Sequence, residues 1–248
     1  MKRLAVILAL LGSSAAADTL RIATGGHYPP YIYDPMTEQA RGLDKDLVDE
    51  ICVRGGFDCV WVDLPMNDIF QALARGDVDV VTGGFGYSSE RDALVDFTCP
   101  YVTSGDSAGQ FVATAQDVDL ITARIGVLAE SLYQEAMQKA ERDLRTFPTE
   151  AAALDALVAG DVDVVFGSHN MVDLAGLRDG FFDLGEYPTF SGGSVLGVSE
   201  DAPDLRVTLD ALLADISADG TLGQLGIKWR DVDQGDVIAR CFDINALT

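Results

Sequence analysis

The sequence predicts an α/β protein of two lobes, each a mostly parallel sheet flanked by helices, with two strands crossing between them. Three observations carry this reading: an internal repeat, the same order of elements around each copy, and two glycine-rich segments between the halves. The repeat is ALARGDVDVVTGG over residues 72–84 and ALVAGDVDVVFGS over residues 156–168, identical at nine of thirteen positions. In each copy a helix ends at Gly76 or Gly160 and a tight turn carries Asp77 or Asp161. A β-branched run from Val78 or Val162 then enters a buried strand.

The elements around the two copies agree. In the first half, residues 20–24 read as a strand, 43–54 as an amphipathic helix, 57–64 as a strand and 67–75 as a helix before the repeat strand. The second half runs the same way: strand 124–128, helix 131–140, strand 144–147 and helix 150–159. Such alternation predicts a parallel sheet with helices on its faces, and sheets of that kind bind ligands at the carboxyl ends of their strands. The segments 101–111 and 191–197 are rich in Ser and Gly but flanked by apolar residues such as Tyr101, Phe111 and Val195, so they read as hinge strands. A helix over 203–216 follows. The predicted division is therefore 18–104 with 192–248 as the first lobe, and 105–191 as the second.

Residues 1–17 read as a secretory signal peptide. Lys2 and Arg3 precede an apolar run from Leu4 to Leu11, and small residues at Ala15 and Ala17 suit cleavage. The run is far shorter than the roughly 20 residues a membrane span needs, so the expected product is an exported, periplasmic protein beginning near Asp18. The chain of 248 residues is 48% hydrophobic and 23% charged, which suits a globular protein with two cores. Its formal charge of -23 argues against nucleic acid and anionic lipid as partners, because the long-range field repels both.

Four cysteines in an exported chain favour disulfides. Cys52 ends one predicted helix and Cys59 lies in the following strand, joined by the turn Arg54, Gly55, Gly56, so these two are expected to pair. Cys99 is then expected to pair with Cys241, tying the C-terminal tail to the first lobe.

The order of five motifs resembles the periplasmic solute-binding proteins of polar amino-acid ABC importers, bacterial extracellular solute-binding protein family 3. The motifs are YPPYIYD (28–34), RGLDKDLVDEI (41–51), ARGDVDVVTGG (74–84), SSERDALVDFTCPY (88–101) and DGTLGQLGIKW (219–229). The resemblance covers nearly the whole mature chain, and the Cys52 and Cys59 spacing is similar to a disulfide of some members. It implies the two-lobed periplasmic-binding-protein fold, a small-molecule ligand with a carboxylate, an inner-membrane ABC permease as partner, a monomer, no cofactor and no metal.

Arg91 is the first candidate site residue. A guanidinium there forms a two-pronged, charge-assisted pair with a ligand carboxylate, and the resemblance implies that role. Tyr28 follows the first strand, where an aromatic ring covers the apolar part of a solute. Gly84 and Gly86 stand where relatives often carry hydroxyl residues, leaving backbone contact only. Three departures from the family pattern bear on the ligand. Where amino-acid binders place an aspartate for the α-ammonium, this chain has Gly167, Ser168, His169 and Asn170. A Ser or Thr pair aligns with Ser131 and Leu132, and a bulky aromatic aligns with Met66. An unpaired ammonium in a closed cleft costs several kcal/mol. A simple α-amino acid is thus disfavoured unless another acid, such as Glu130 or Glu186, replaces the lost one, and the expected ligand is an amino acid, a modified amino acid or an organic acid.

His27 and His169 fall on loop ends facing the cleft and suit hydrogen bonding better than a metal. No HExxH or phosphate-loop motif occurs. A non-enzymatic receptor is expected. The alternative is an exported dehydratase of prephenate-like acids, with His169 or Glu130 as general acid.

Overall fold

The computed structural model describes residues 17–102, 108–168, 171–174, 180–189 and 193–234. The expected leader falls almost wholly outside them, as do His169, Asn170 and Cys241. The expected division points after residue 104 and before residue 192 also lie in undescribed segments.

The first lobe contains β1 (Thr19–Thr24), α1 (Leu43–Gly55), β2 (Asp58–Asp63), α2 (Ile69–Ala74), β3 (Val80–Val81), α3 (Ser89–Asp92) and β4 (Asp96–Phe97). The second contains β5 (Ala108–Ala113), β6 (Arg124–Leu128), α4 (Leu132–Lys139), β7 (Asp143–Phe147), α5 (Glu150–Ala159), β8 (Val164–Gly167), α6 (Met171–Leu174) and β9 (Phe182–Pro188). The chain returns to the first lobe with β10 (Gly197–Val198), α7 (Pro203–Ala218) and α8 (Thr221–Arg230).

Two five-stranded sheets result, ordered β2-β1-β3-β10-β4 and β7-β6-β8-β5-β9. Position by position they are the same sheet. In each, four strands run one way and the fourth in order is reversed: β10 is antiparallel to β3 and β4, and β5 to β8 and β9. The reversed strand is the one adjoining a crossing between lobes, a detail the strand–helix alternation does not contain. The crossings pair with each other: the Tyr101 N–H donates to the Ser194 carbonyl at 2.9 Å, and the Ser194 N–H to Val102 at 3.2 Å.

The repeat is repeated in hydrogen bonds too. Gly76 N–H reaches Leu73 and Asp77 N–H reaches Ala72, as Gly160 reaches Leu157 and Asp161 reaches Ala156. Gly76 and Gly160 have φ of 73° and 78°, the left-handed conformation that ends a helix at little cost only for glycine. Both copies are then buckled to the second strand in the order of their sheet, β1 or β6. Arg21 Nη2 and Nε donate to the two oxygens of Asp79 at 2.6 and 2.9 Å. Arg124 does the same to Asp163 at 2.7 and 3.0 Å.

Each sheet is covered on both faces. Ile22 and Val80 pack on α1, α7 and α8, while Ala23 and Val81 face Ile69, Phe70 and Leu73 of α2. In the second lobe Val164 and Phe166 meet Ala136 and Met137 of α4, and Val165 meets Leu154 and Leu157 of α5. Alternation in the strand sends neighbouring valines to opposite cores. Burying a side chain such as Leu154 contributes roughly 1.5–3 kcal/mol. Cys52 and Cys59 are joined, with Cα atoms 6.1 Å apart across the turn at Gly56. No described helix is long and apolar enough to cross a membrane.

Candidate functional site

The carboxyl ends of β1 and β3 and the segment after β6 meet around a cavity of about 150 Å³ between the lobes. An engineered apolar cavity of about that size accepts benzene, so the space suits a small solute. Its first-lobe wall includes Thr24, Gly25, Tyr28, Tyr31, Met66, Gly84, Phe85, Gly86 and Arg91, and its second-lobe wall Leu128, Ser131, Leu132, Tyr133 and Thr189. Six of the sequence-predicted residues thus come together: Arg91, Tyr28, Gly84, Gly86, Met66 and Ser131.

Arg91 sits in α3, whose N-cap Ser88 accepts from the Arg91 N–H. Its side chain is buried, with the guanidinium 4.7 Å above the Phe70 ring and 5.7 Å from Phe85. The faces of these rings attract the cation. Nη1 donates to the Gly86 carbonyl at 3.0 Å, and Nη2 to the Glu130 carbonyl at 2.9 Å on the other lobe. Two further contacts cross the cleft: the Tyr28 and Tyr133 hydroxyls lie 3.0 Å apart, and Ser88 Oγ donates to Glu135 at 2.9 Å.

Gly84 belongs where it is for two reasons. Its φ is 67°, and a Cβ there would lie 2.5 Å from the Tyr31 ring. Tyr31 in turn stacks on Tyr28 with centroids 5.9 Å apart, making an aromatic floor. Beneath it, Asp44 is fully buried at the start of α1. Its Oδ2 accepts from Thr82 Oγ1 (2.7 Å), the Gly84 N–H (2.8 Å) and the Tyr101 hydroxyl (2.9 Å). Burial raises its pKa, and those bonds offset part of the rise.

Ser131 caps α4, accepting from Gln134 N–H and donating to the Leu128 carbonyl at 2.6 Å, so its hydroxyl serves the helix start as well as the cavity. Ser168 does not line this cavity. It is fully buried at the end of β8, and its N–H and hydroxyl donate to the two carboxylate oxygens of Glu150, both at 2.8 Å. Glu150 lines a second, adjoining cavity of about 330 Å³ with His27, Tyr28, Met66, Asn67, Leu128, Thr149 and Met171. Tyr28, Met66 and Leu128 border both spaces. Glu130 and Glu186 are exposed and line neither. His27 is half-exposed, its Nδ1 accepting from the Asp34 N–H at 3.3 Å.

Burial raises the Glu150 pKa, with the Ser168 bonds acting the other way. Burial also raises Tyr28 and Tyr133, keeping both hydroxyls protonated. The Glu150 charge adds to the rise at Tyr133, and the Arg91 charge acts against it.

The bacterial extracellular solute-binding proteins, family 3, match this chain over residues 20–232. The chain belongs to that family. This family 3 protein is 27% identical to a putative ABC transporter arginine-binding protein 2 of Escherichia coli K12, covering 92% of this chain and 99% of the relative. It is 25% identical to the histidine-binding periplasmic protein of Salmonella typhimurium, over 94% and 98% of the two chains. A solved structure of a periplasmic His/Glu/Gln/Arg/opine family-binding protein from Silicibacter pomeroyi, in complex with lysine, superposes with a TM-score of 0.74. It shares 29% identity over 86% of this chain and 99% of that one.

Sequence reasoning about this family 3 member passed over Thr24, Tyr31, Tyr133 and Glu150. For Glu150 a signal was available. It opens the helix directly after the strand 144–147, and that is the binding edge of a parallel sheet.

Proposed function

We propose that the protein is the periplasmic solute receptor of an ABC importer, acting as a monomer and capturing a small polar solute by its carboxylate. Division into lobes at residues 104 and 192 belongs to this reading. One observation carries it: Arg91, buried and held on Phe70, bonds to backbone carbonyls of both lobes at once. A ligand carboxylate that replaces these carbonyls gains a two-pronged ion pair in a site closed from water. Because such a ligand touches both lobes, it favours the closed form, and the closed form is what a permease in the inner membrane recognises. The arginine-, histidine- and lysine-binding of the relatives supports an amino acid or modified amino acid as cargo.

Native mass spectrometry of the mature protein tests this by identifying a co-purified solute, alongside a thermal-shift screen of amino acids, opines, carboxylates and amines. Carboxylates are expected to raise the melting temperature; a response confined to amines or uncharged compounds overturns the reading. Incubation with prephenate and arogenate is expected to yield no product, and turnover would make the protein a dehydratase instead.

A further inference from the structure

We propose that Glu150 is the cation-binding residue of the cleft, and that the second cavity receives the nitrogen end of a zwitterionic solute together with substituents on that nitrogen. The inference rests on the carboxylate reading of Arg91 and specifies the other half of the ligand. Glu150 is the one carboxylate among the described residues lining either cavity. No arginine or lysine among the described residues bonds to it; its partners are the Ser168 N–H and hydroxyl. Those two bonds aim both oxygens at the end of β8 and leave each oxygen a further lone pair. A carboxylate so placed is costly unless a cation joins it.

The size and lining of the second cavity add to this. A bare ammonium needs about the cavity space of one water, roughly 10–15 Å³, whereas this cavity holds about 330 Å³. Beyond Glu150 its walls are mainly apolar, with Pro65, Met66, Leu128, Pro148, Ala151 and Met171, and its polar points are His27, Tyr28, Asn67 and Thr149. Such walls accept alkyl groups on nitrogen, or the methylene chain of an ω-amino acid. They offer no arginine or lysine to a second carboxylate. The shared chemistry is a carboxylate at Arg91 and a nitrogen cation at Glu150, with Tyr28, Met66 and Leu128 bordering both spaces.

Calorimetry and thermal shift with leucine, N-methylleucine, 6-aminohexanoate and the nitrogen-free 4-methylpentanoate test the proposal in wild type, Glu150→Gln and Ala151→Leu. Wild type is expected to prefer the nitrogen compounds. Glu150→Gln should weaken them by about tenfold or more while sparing 4-methylpentanoate, and Ala151→Leu should penalise N-methylleucine more than leucine. A stronger loss for 6-aminohexanoate than for N-methylleucine in Ala151→Leu assigns the cavity to an ω-amino chain instead of an N-alkyl group. Equal loss for nitrogen-containing and nitrogen-free acids in Glu150→Gln overturns the proposal, as does no loss, or a wild type that no nitrogen compound stabilises at millimolar concentration. Arg91→Ala separates the two readings: if it leaves carboxylate binding unchanged, the receptor reading fails whatever Glu150 does.

Discussion

Arg91 donates from one lobe to the backbone carbonyl of Glu130 on the other, 2.9 Å away, and with its second nitrogen to Gly86 on its own lobe. The proposed anion-binding group of the cleft is thus held on both sides by neutral acceptors. Replacing neutral carbonyls with a carboxylate adds a bidentate ion pair to bonds already charge-assisted by the guanidinium. Arg91→Ala should reduce affinity for carboxylate ligands by at least about tenfold, equivalent to 1.4 kcal/mol. Arg91→Lys should recover only part of it, because a point charge cannot reproduce the fork. Titration calorimetry with whichever acid scores in the screen decides; wild-type affinity in either variant contradicts the role.

The hydroxyl pair of Tyr28 and Tyr133 closes the cleft at a second point. A neutral hydrogen bond contributes about 1 kcal/mol. Tyr28→Phe or Tyr133→Phe should therefore shift the ligand-free protein toward the open form by a factor of about five. Small-angle scattering reads this as a larger radius of gyration in the absence of ligand and equal radii at saturation. A double variant no more open than either single one is expected, since each removes the same bond.

Much of this architecture was legible in advance, because the repeat marks the parallel strands and their turns directly. Strand 124–128 and helix 150–159 lie where the apolar pattern puts them. β10 was legible only as part of the crossing, since a two-residue strand such as Gly197–Val198 has no period to read, and β9 was not, since FDLGEYP lacks a clean alternation. Arg91 and Tyr28 are visible as residue types at strand ends. Glu150 shows only its position at a helix start after a strand; the orientation of its carboxylate depends on Ser168, eighteen residues away and bonded to it only once the sheet has formed.

The two buckles, Arg21–Asp79 and Arg124–Asp163, make a prediction about acid. The Arg124 side chain and N–H hold the Asp163 pKa down at about 2. At Asp79 burial pushes upward, but the bonds from Arg21 outweigh it and the result is lowered. A carboxylate with a lowered pKa adds stability above the unfolded value near 4 and loses it as pH falls through the folded value. Asp163→Asn should cost about 1 kcal/mol at neutral pH, as suits a half-exposed pair. Urea melts of wild type and variant should converge as pH approaches 2. A constant gap between them at all pH values rules the linkage out.

The Cys52–Cys59 bond closes a short loop of seven residues' separation. Chain-entropy arguments give about 2.5 kcal/mol for a loop of this length. The Cys52→Ala, Cys59→Ala double variant should melt roughly 5–10 °C lower in a protein of this size, with ligand affinity intact because α1 and β2 carry no cavity residue.

Asp44 joins the floor of the cleft to the crossing between lobes. A single buried oxygen accepts from Thr82 and Gly84 beside the cavity and from Tyr101, whose own N–H pairs with Ser194 at the crossing. Asp44→Ala leaves three buried donors without an acceptor, at about 1–3 kcal/mol each, so a loss of at least about 3 kcal/mol is expected in urea. Asp44→Asn keeps one acceptor oxygen and removes the charge. Its fold should survive, while the Gly84 tether, now to a neutral oxygen, weakens and affinity falls several-fold, because Gly84 packs against Tyr31, which stacks on Tyr28. An Asp44→Ala protein within about 1 kcal/mol of wild type would show that water or relaxation satisfies these donors, and that the floor and the crossing are held independently.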